Sequence, residues 1–273
     1  MKLVSYNING VRSAYKKGLI EWIENSDIDI FCFQEVRANE EVCQSIFGGG
    51  QLNFFSEQKS KFDDYFKIYN CGNIPGYAGT MIMSREEPKK VLYNMGDLWK
   101  DNEGRTTTAF FGDFVVVNAY IPNGSNRLDF KMAYLDALTK HLERLKKENT
   151  VICIGDFNIA HNEIDLTHPK QCASKSVFLP IERKAFEKIL NLGFLDVFRT
   201  LYPEKREYSW RSYSSRLPEE MQKYTKNFYK YRIDYCIVSN DKRYILKDCQ
   251  MPDLPYSDHL PVISLFQKNN KNK

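Results

Sequence analysis

The chain has 273 residues, 42% of them hydrophobic and 27% charged, with a net charge of +4. That composition excludes a disordered chain and supplies enough apolar residues for a sizeable core. The mild basic excess does not by itself select a partner, although basic residues gathered on one face would suit a polyanion.

Taken in order, the chain alternates short apolar runs with amphipathic segments. "KLVSYNIN" (2–9) and "IDIFCFQE" (28–35) are strand candidates, with an amphipathic helix expected over 16–26 between them. "GGGQ" (48–51) reads as a loop. "TMIMS" (80–84), "TTTAFFG" (106–112) and "FVVVNAYIP" (114–122) follow as strands, the last two joined by a turn at Gly112-Asp113. A long helix is expected over 128–148, then the strand "VICIGDFN" (151–158) and a helix over 179–194. Pro180 near the start of that helix and Gly193 near its end give the usual asymmetry. Residues 216–230 form a charged, tyrosine-bearing insertion before the strands "RIDYCIVS" (232–239) and "HLPVISLF" (259–266). The pattern predicts a mixed α/β protein with two sheets and helices outside them, in a single domain over 1–267, with a short disordered basic tail over 268–273.

The seven cysteines lack any C-x-x-C spacing, and Cys32, Cys153 and Cys236 sit inside apolar runs. Buried free thiols in a reducing compartment are expected, rather than disulfides or zinc. The N-terminus does not have the pattern of a signal peptide, and no run is apolar enough to span a membrane.

What stands out is the chemistry at the strand ends. Asn7 and Asn9 end the first strand, and Gln34-Glu35 the second. Asn118 and Tyr120 come with "FVVVNAY". Asp156, Asn158 and His161 follow "VICI", Asp234 lies within an apolar run, and Asp258-His259 precede the last strand. Any one of these has an ordinary explanation in turn formation. Together, four carboxylates (Glu35, Asp156, Asp234, Asp258) at one edge of a core would repel one another without a cation or a protonated histidine. The oxygen-only set Glu35, Asp156, Asn158 and Asp258 suits a hard cation, Mg²⁺ or Mn²⁺. A hard cation beside His and Tyr is a tool for phosphodiester hydrolysis.

The segments "KLVSYNINGVRS", "DIFCFQEVR", "GYAGTMIMSRE", "VVVNAYIPNGS", "IGDFNIAHNEIDL", "YRIDYCIVS" and "YSDHLPV" resemble the exonuclease III / apurinic-apyrimidinic (AP) endonuclease family. That family lies within the wider endonuclease/exonuclease/phosphatase superfamily. The resemblance implies a four-layered α/β sandwich, two facing mixed sheets flanked by helices. It also implies a Mg²⁺-dependent hydrolase of double-stranded DNA, with Mn²⁺ as a substitute. Such an enzyme would cut 5′ to abasic sites, act as a 3′-5′ exonuclease, or clean damaged 3′ ends. The resemblance makes Glu35 a metal ligand, with Asn7 and Asp258 near the metal and Asn9 beside them. It makes Tyr120, Asp156, Asn158, Asp234 and His259 the catalytic group. Asp156 or the His259–Asp234 pair would take the proton; the sequence does not choose between them. DNA contacts are expected from Arg12, Arg37, Tyr77, Asn123, Lys170, Trp210, Tyr231 and Ile233.

Two departures bear on the abasic pocket. Arg211 stands where the family usually has a second aromatic, and Tyr229-Lys230 replace the usual spacing before "YRID". An RNA deadenylase or a lipid or inositol phosphatase of the same superfamily is the alternative. A monomer is expected, in the cytoplasm or nucleoid of a prokaryote or the nucleus of a eukaryote.

Overall fold

The structure is a computed structural model, and it describes residues 1–48, 64–212 and 228–269. The expected loop at 49–51, the insertion over 216–227 and the tail over 270–273 lie outside the described residues.

In chain order, β1 (Lys2–Asn7), α1 (Val11–Lys16), α2 (Leu19–Asn25), β2 (Ile30–Gln34), α3 (Glu40–Phe47), β3 (Phe66–Asn70) and β4 (Thr80–Ser84) form the first half. Then come β5 (Lys90–Tyr93), β6 (Thr106–Phe110), β7 (Phe114–Tyr120), α4 (Leu128–Lys146) and β8 (Thr150–Asp156). The chain continues through α5 (Pro169–Cys172), α6 (Pro180–Asn191), β9 (Phe194–Asp196), α7 (Val197–Leu201) and β10 (Trp210–Arg211). It ends with β11 (Lys230–Tyr231), β12 (Asp234–Ser239), β13 (Tyr244–Gln250) and β14 (Val262–Lys268).

Among the described residues the strands make two six-stranded sheets, ordered β13-β14-β1-β2-β4-β3 and β5-β6-β7-β8-β12-β9, and a two-stranded ribbon, β10-β11. Each large sheet has one parallel pair, β1 with β2 and β7 with β8, among antiparallel neighbours. The expected four-layered sandwich is what the chain forms.

Side chains alternate across each strand, so every central strand feeds two cores. Leu3, Ile30, Cys32, Val116, Ile152, Ile154, Cys236 and Val238 meet between the sheets. The residues of opposite parity, such as Val117, Cys153, Tyr235 and Ile237, pack under α4 and α6. Val4, Tyr6, Phe31 and Phe33 do the same under α1, α2 and α3.

The eight expected strands are all present, and the 106–122 segment turns at Gly112 as read. The expected helix over 16–26 is α2, which starts at Leu19, and a further short helix, α1, precedes it. Gly18 sits between them at φ +96, a left-handed conformation that ends the first helix. The last strand runs on to Lys268. All seven cysteines are free. Among the described residues no helix is long and apolar enough to cross a membrane.

Candidate active site

The inter-sheet seam changes character along its length. On β1 the inward residues run Leu3, Ser5, Asn7; on β2, Ile30, Cys32, Gln34. On β7 they run Val116, Asn118, Tyr120; on β8, Ile152, Ile154, Asp156; on β12, Val238, Cys236, Asp234. Each row is apolar at one end of the sandwich and polar at the other. A buried amide layer marks the change: the Gln34 amide donates to Asn118 Oδ1 at 2.8 Å, and the Asn118 amide donates to the carbonyls of Phe33 and Met81. These bonds satisfy the buried polar groups and tie the sheets together. Beyond this layer the seam opens into a cleft of about 350 Å³.

Tyr120, Asp156 and Asp234 are direct partners across three adjacent strands, so backbone pairing sets their spacing. Gly155 allows it. A Cβ there would lie 1.8 Å from the carbonyl oxygen of Ala119, so only glycine lets β7 and β8 pair at the mouth. Asn7 reaches across from the other sheet and donates to Asp156 Oδ2 at 2.9 Å. The Asn158 side chain donates to the same oxygen at 3.1 Å, and its backbone N–H donates to Asp156 Oδ1 at 2.8 Å.

His259 faces this carboxylate. Its Nε2 is 4.0 Å from Asp156 Oδ2, and its Nδ1 is 2.9 Å from Asp234 Oδ2. The backbone N–H groups of Ile233 and Asp234 both donate to Ser209 Oγ at 3.0 Å, which fixes the strand that carries Asp234. Burial pushes the Asp156 carboxyl up to about 7, and the nearby Asp234 charge adds to the rise. Burial would lower the His259 pKa, but Asp234 and then Asp156 overcome it and hold the imidazole up to about 10. The pair is therefore a neutral-range carboxyl beside an imidazolium.

Glu35 stands on the facing sheet. It accepts from the Tyr120 hydroxyl and pairs with Arg37 at 3.1 Å. Burial first, then Glu35, keeps the Tyr120 phenol well above its ordinary pKa, so it remains a donor. The Arg105 guanidinium lies 4.6 Å from the Tyr120 ring centroid. Asp258 accepts from the Asn9 amide at 2.7 Å and from the Trp210 indole at 3.2 Å. Asn9, Glu35, Arg37 and Asn158 all have φ near +50, sparsely populated for residues other than glycine. Four such positions around one cleft indicate backbone held in place by its surroundings.

The cleft brings together Asn7, Asn9, Glu35, Arg37, Tyr120, Asn123, Asp156, Asn158, Trp210, Tyr231, Ile233, Asp258 and His259, with Asp234 directly behind His259. Tyr77 is linked to Tyr120 through Arg105, its hydroxyl accepting from Arg105 at 3.0 Å and from Arg127 at 3.2 Å. Arg12 and Lys170 are exposed and lie outside the cleft lining. His161 also turns away and bonds Glu187 at 2.6 Å. Trp210 and Tyr231 stack with centroids 5.0 Å apart, and Ile233 lies beside them. Arg211 follows Trp210 in the strand, so it points to the opposite face, where it pairs with Asp253 at 2.7 Å. Neither Arg211 nor Tyr229 lines the cleft.

The donor set fits a hard cation. It is rich in oxygen: Glu35 and Asp258 bring carboxylates, and Asn7 an amide oxygen, to the cleft lining. Asp156, Asp234 and His259 offer ligand atoms within 4.8 Å of one another. Because His259 Nδ1 is committed to Asp234 and Nε2 stands 4.0 Å from Asp156, the trio reads as an oriented imidazole beside a carboxylate rather than a closed metal cage.

Sequence reasoning missed several supports: Ser209, Arg105 with its partner Glu103, and the buried pair Lys131–Glu182. For Lys131 a signal existed. It interrupts the apolar stripe Leu128, Leu135, Leu138, Leu142 on α4.

A sequence profile described as the Endonuclease/Exonuclease/phosphatase family matches residues 4–259. The chain is 35% identical over 268 residues to an exodeoxyribonuclease of Bacillus subtilis, covering 96% of this chain and 98% of that protein. It is 33% identical to the DNA repair nuclease APEX1 of Danio rerio, covering 96% of this chain and 81% of that protein. An AP endonuclease from Archaeoglobus fulgidus superposes with a TM-score of 0.80 at 25% identity, covering 97% of this chain and 99% of that one. The chain thus belongs to the endonuclease/exonuclease/phosphatase family, in its exonuclease III / AP endonuclease branch.

Proposed function

We propose that this chain is a DNA-repair nuclease. It hydrolyses phosphodiesters in double-stranded DNA, cutting 5′ to abasic sites and removing nucleotides or blocking groups from 3′ ends. The observation that carries this reading is Asp156, a carboxylate held by Asn7 and Asn158 at 4.0 Å from the His259 imidazole, in a cleft walled on one side by Trp210 and Tyr231. The relatives named as exodeoxyribonuclease and DNA repair nuclease support the same substrate class.

In this reading a phosphate enters between Tyr120, Asn158 and His259. Tyr120 donates to its oxygens, and the His259 imidazolium offsets the charge that develops there, while the Asn158 amide, which donates to Asp156 and to the Ile121 carbonyl, holds the Asp156 carboxylate in place. Asp234 holds that imidazolium in orientation. Asp156 is placed to take a proton from the attacking water. Mg²⁺, with Mn²⁺ as a substitute, would be held by Glu35, Asn7 and Asp258 and would neutralise phosphate charge. Arg37 and Asn123 at the rim would position the backbone without reading sequence. A flipped-out sugar would rest against Trp210, Tyr231 and Ile233. The whole of 1–267 would serve as one catalytic domain.

The test is a duplex with one internal abasic analogue, labelled at both ends, incubated with Mg²⁺ or with EDTA. A Mg²⁺-dependent nick 5′ to the analogue, absent in Asp156→Ala, is expected. Shortening from the 3′ end alone would remove abasic cleavage from the proposal. Turnover only of RNA or of a phosphorylated lipid or inositol would overturn it.

A further inference from the structure

Behind the cleft lies an ion pair that the proposed chemistry does not use. Lys131 on α4 and Glu182 on α6 are both fully buried, with Nζ 2.7 Å from Oε1. A buried pair of this kind is weak evidence for stability, because desolvation offsets most of the attraction. Its other bonds are more informative. Lys131 Nζ also donates to the carbonyl oxygen of Asn158 at 2.8 Å. Glu182 Oε1 accepts from Ser176 Oγ at 2.7 Å, and Oε2 accepts from the N–H groups of Val177 at 2.9 Å and Leu179 at 3.1 Å.

All of these bonds except that to Leu179 end on a residue of the cleft wall. Asn158, Ser176 and Val177 all line it. Asn158 and Val177 have φ of +51 and +105. Asn tolerates the left-handed region, but a β-branched valine there is an outlier that its surroundings must hold. The third loop of the wall packs on the same pair. A Cβ on Gly124 would lie 2.5 Å from Ser176 Oγ, 2.9 Å from Glu182 Oε1 and 3.0 Å from Lys131 Cδ. Gly124 sits between Asn123 and Ser125, which also line the cleft.

We propose that Lys131 and Glu182 form a positioning pair, which locks three loops of the cleft wall and so sets where Asn158 holds the Asp156 carboxylate against the scissile phosphate. Neither residue touches substrate. The lysine fixes the Asn158 peptide from behind. The glutamate fixes the strained turn at Ser176–Val177. A displacement of the Asn158 amide by about 1 Å would cost on the order of 10²-fold in rate, because alignment in the transition state is lost. Binding of the duplex, spread over many phosphate contacts, would change little. This inference rests on the nuclease reading above.

The test separates positioning from stability. Lys131→Met alone leaves the Glu182 charge buried without its partner and is expected to melt lower. The double variant Lys131→Met/Glu182→Gln removes both charges and keeps an acceptor for the turn. It is expected to melt within a few degrees of wild type. Its single-turnover rate on the abasic duplex should still be down about 10²-fold, with duplex Kd changed by less than about 3-fold. A stable double variant with the wild-type rate would overturn the assignment. So would a loss confined to Kd. A wild-type protein that cuts no phosphodiester would overturn the nuclease reading instead, and the parallel wild-type lane shows which has failed.

Discussion

His259 and Asp234 are joined by a 2.9 Å hydrogen bond at Nδ1, which leaves Nε2 facing Asp156. Asp234 thereby decides both the charge and the direction of the imidazole. Replacing it with Asn keeps the shape and removes the charge. Asp234→Asn is expected to lower the single-turnover rate by about 10²–10⁴-fold, while circular dichroism stays that of the wild type. Ser209→Ala, which loosens the strand beneath Asp234, should move the rate the same way by less.

The same bond predicts a pH signature in metal-free protein. Burial disfavours the His259 charge, but Asp234 and then Asp156 raise its pKa from 6.5 to about 10. A raised folded-state pKa stabilises fully below the unfolded value and fades as pH climbs through the folded one. Compared with His259→Gln, wild type in EDTA should therefore lose relative melting temperature between pH 6.5 and about 10. A difference that stays flat across that window would refute this account of the imidazole.

Asp156 predicts the opposite kind of trade. Burial, then Asp234, lift its carboxyl from 3.8 to about 7. Its ionised form is thus disfavoured in the folded protein, and the penalty grows as pH rises from 3.8 to about 7. Asp156→Asn should reduce activity by about 10²–10⁴-fold. In EDTA at alkaline pH it should also melt higher than wild type, with the gain gone under acid conditions. Melting curves at the two pH extremes decide it.

Tyr120 reaches Glu35 across the seam and carries a phenol that stays protonated. Tyr120→Phe removes one donor from the phosphate's expected position. The loss should be about 10²-fold in the chemical step, with near-normal duplex affinity in a binding assay.

The pocket wall separates two aromatic-region substitutions. Trp210 stacks on Tyr231 and donates to Asp258. Trp210→Ala should therefore depress cutting at the abasic analogue more than removal of nucleotides from 3′ ends. Arg211 points away and holds Asp253 near the surface. Arg211→Ala should leave both activities within about 2-fold, as expected for a partly exposed ion pair. Equal loss in both variants would mean that the wall is not where we place it.

The sequence makes the proposed catalytic and metal-binding residues easier to find than their supports, for a physical reason. Asp156, Asp234 and Glu35 break apolar runs, and a charge inside such a run is visible without any structure. β5, β13 and β3 are half-exposed and mixed in composition, so no alternation announced them. The helix over 16–26 is legible from its apolar period but starts only at Leu19, because Gly18 precedes it at φ +96. Lys131 and Glu182 interrupt the inward stripes of α4 and α6. Nothing in one sequence says that the two interruptions meet. Arg12 and Lys170, expected as DNA contacts from their motif neighbours, lie exposed outside the cleft lining.

The pairing of Tyr120 with Asp156 and of Asp156 with Asp234 makes the site intolerant of changes in chain length. Inserting one residue into β8 before Gly155 would turn the Asp156 carboxylate toward α4 and leave the seam facing a glycine. No substitution elsewhere in the strand would restore it. A scan of single-residue insertions and deletions should therefore divide the chain sharply. Silent positions would fall in connections such as the turn at Gly112, and lethal ones would begin where β7, β8 and β12 enter the sheet. Natural variation in these strands is then confined to exchange of one side chain for another, and gain or loss of length is left to the loops.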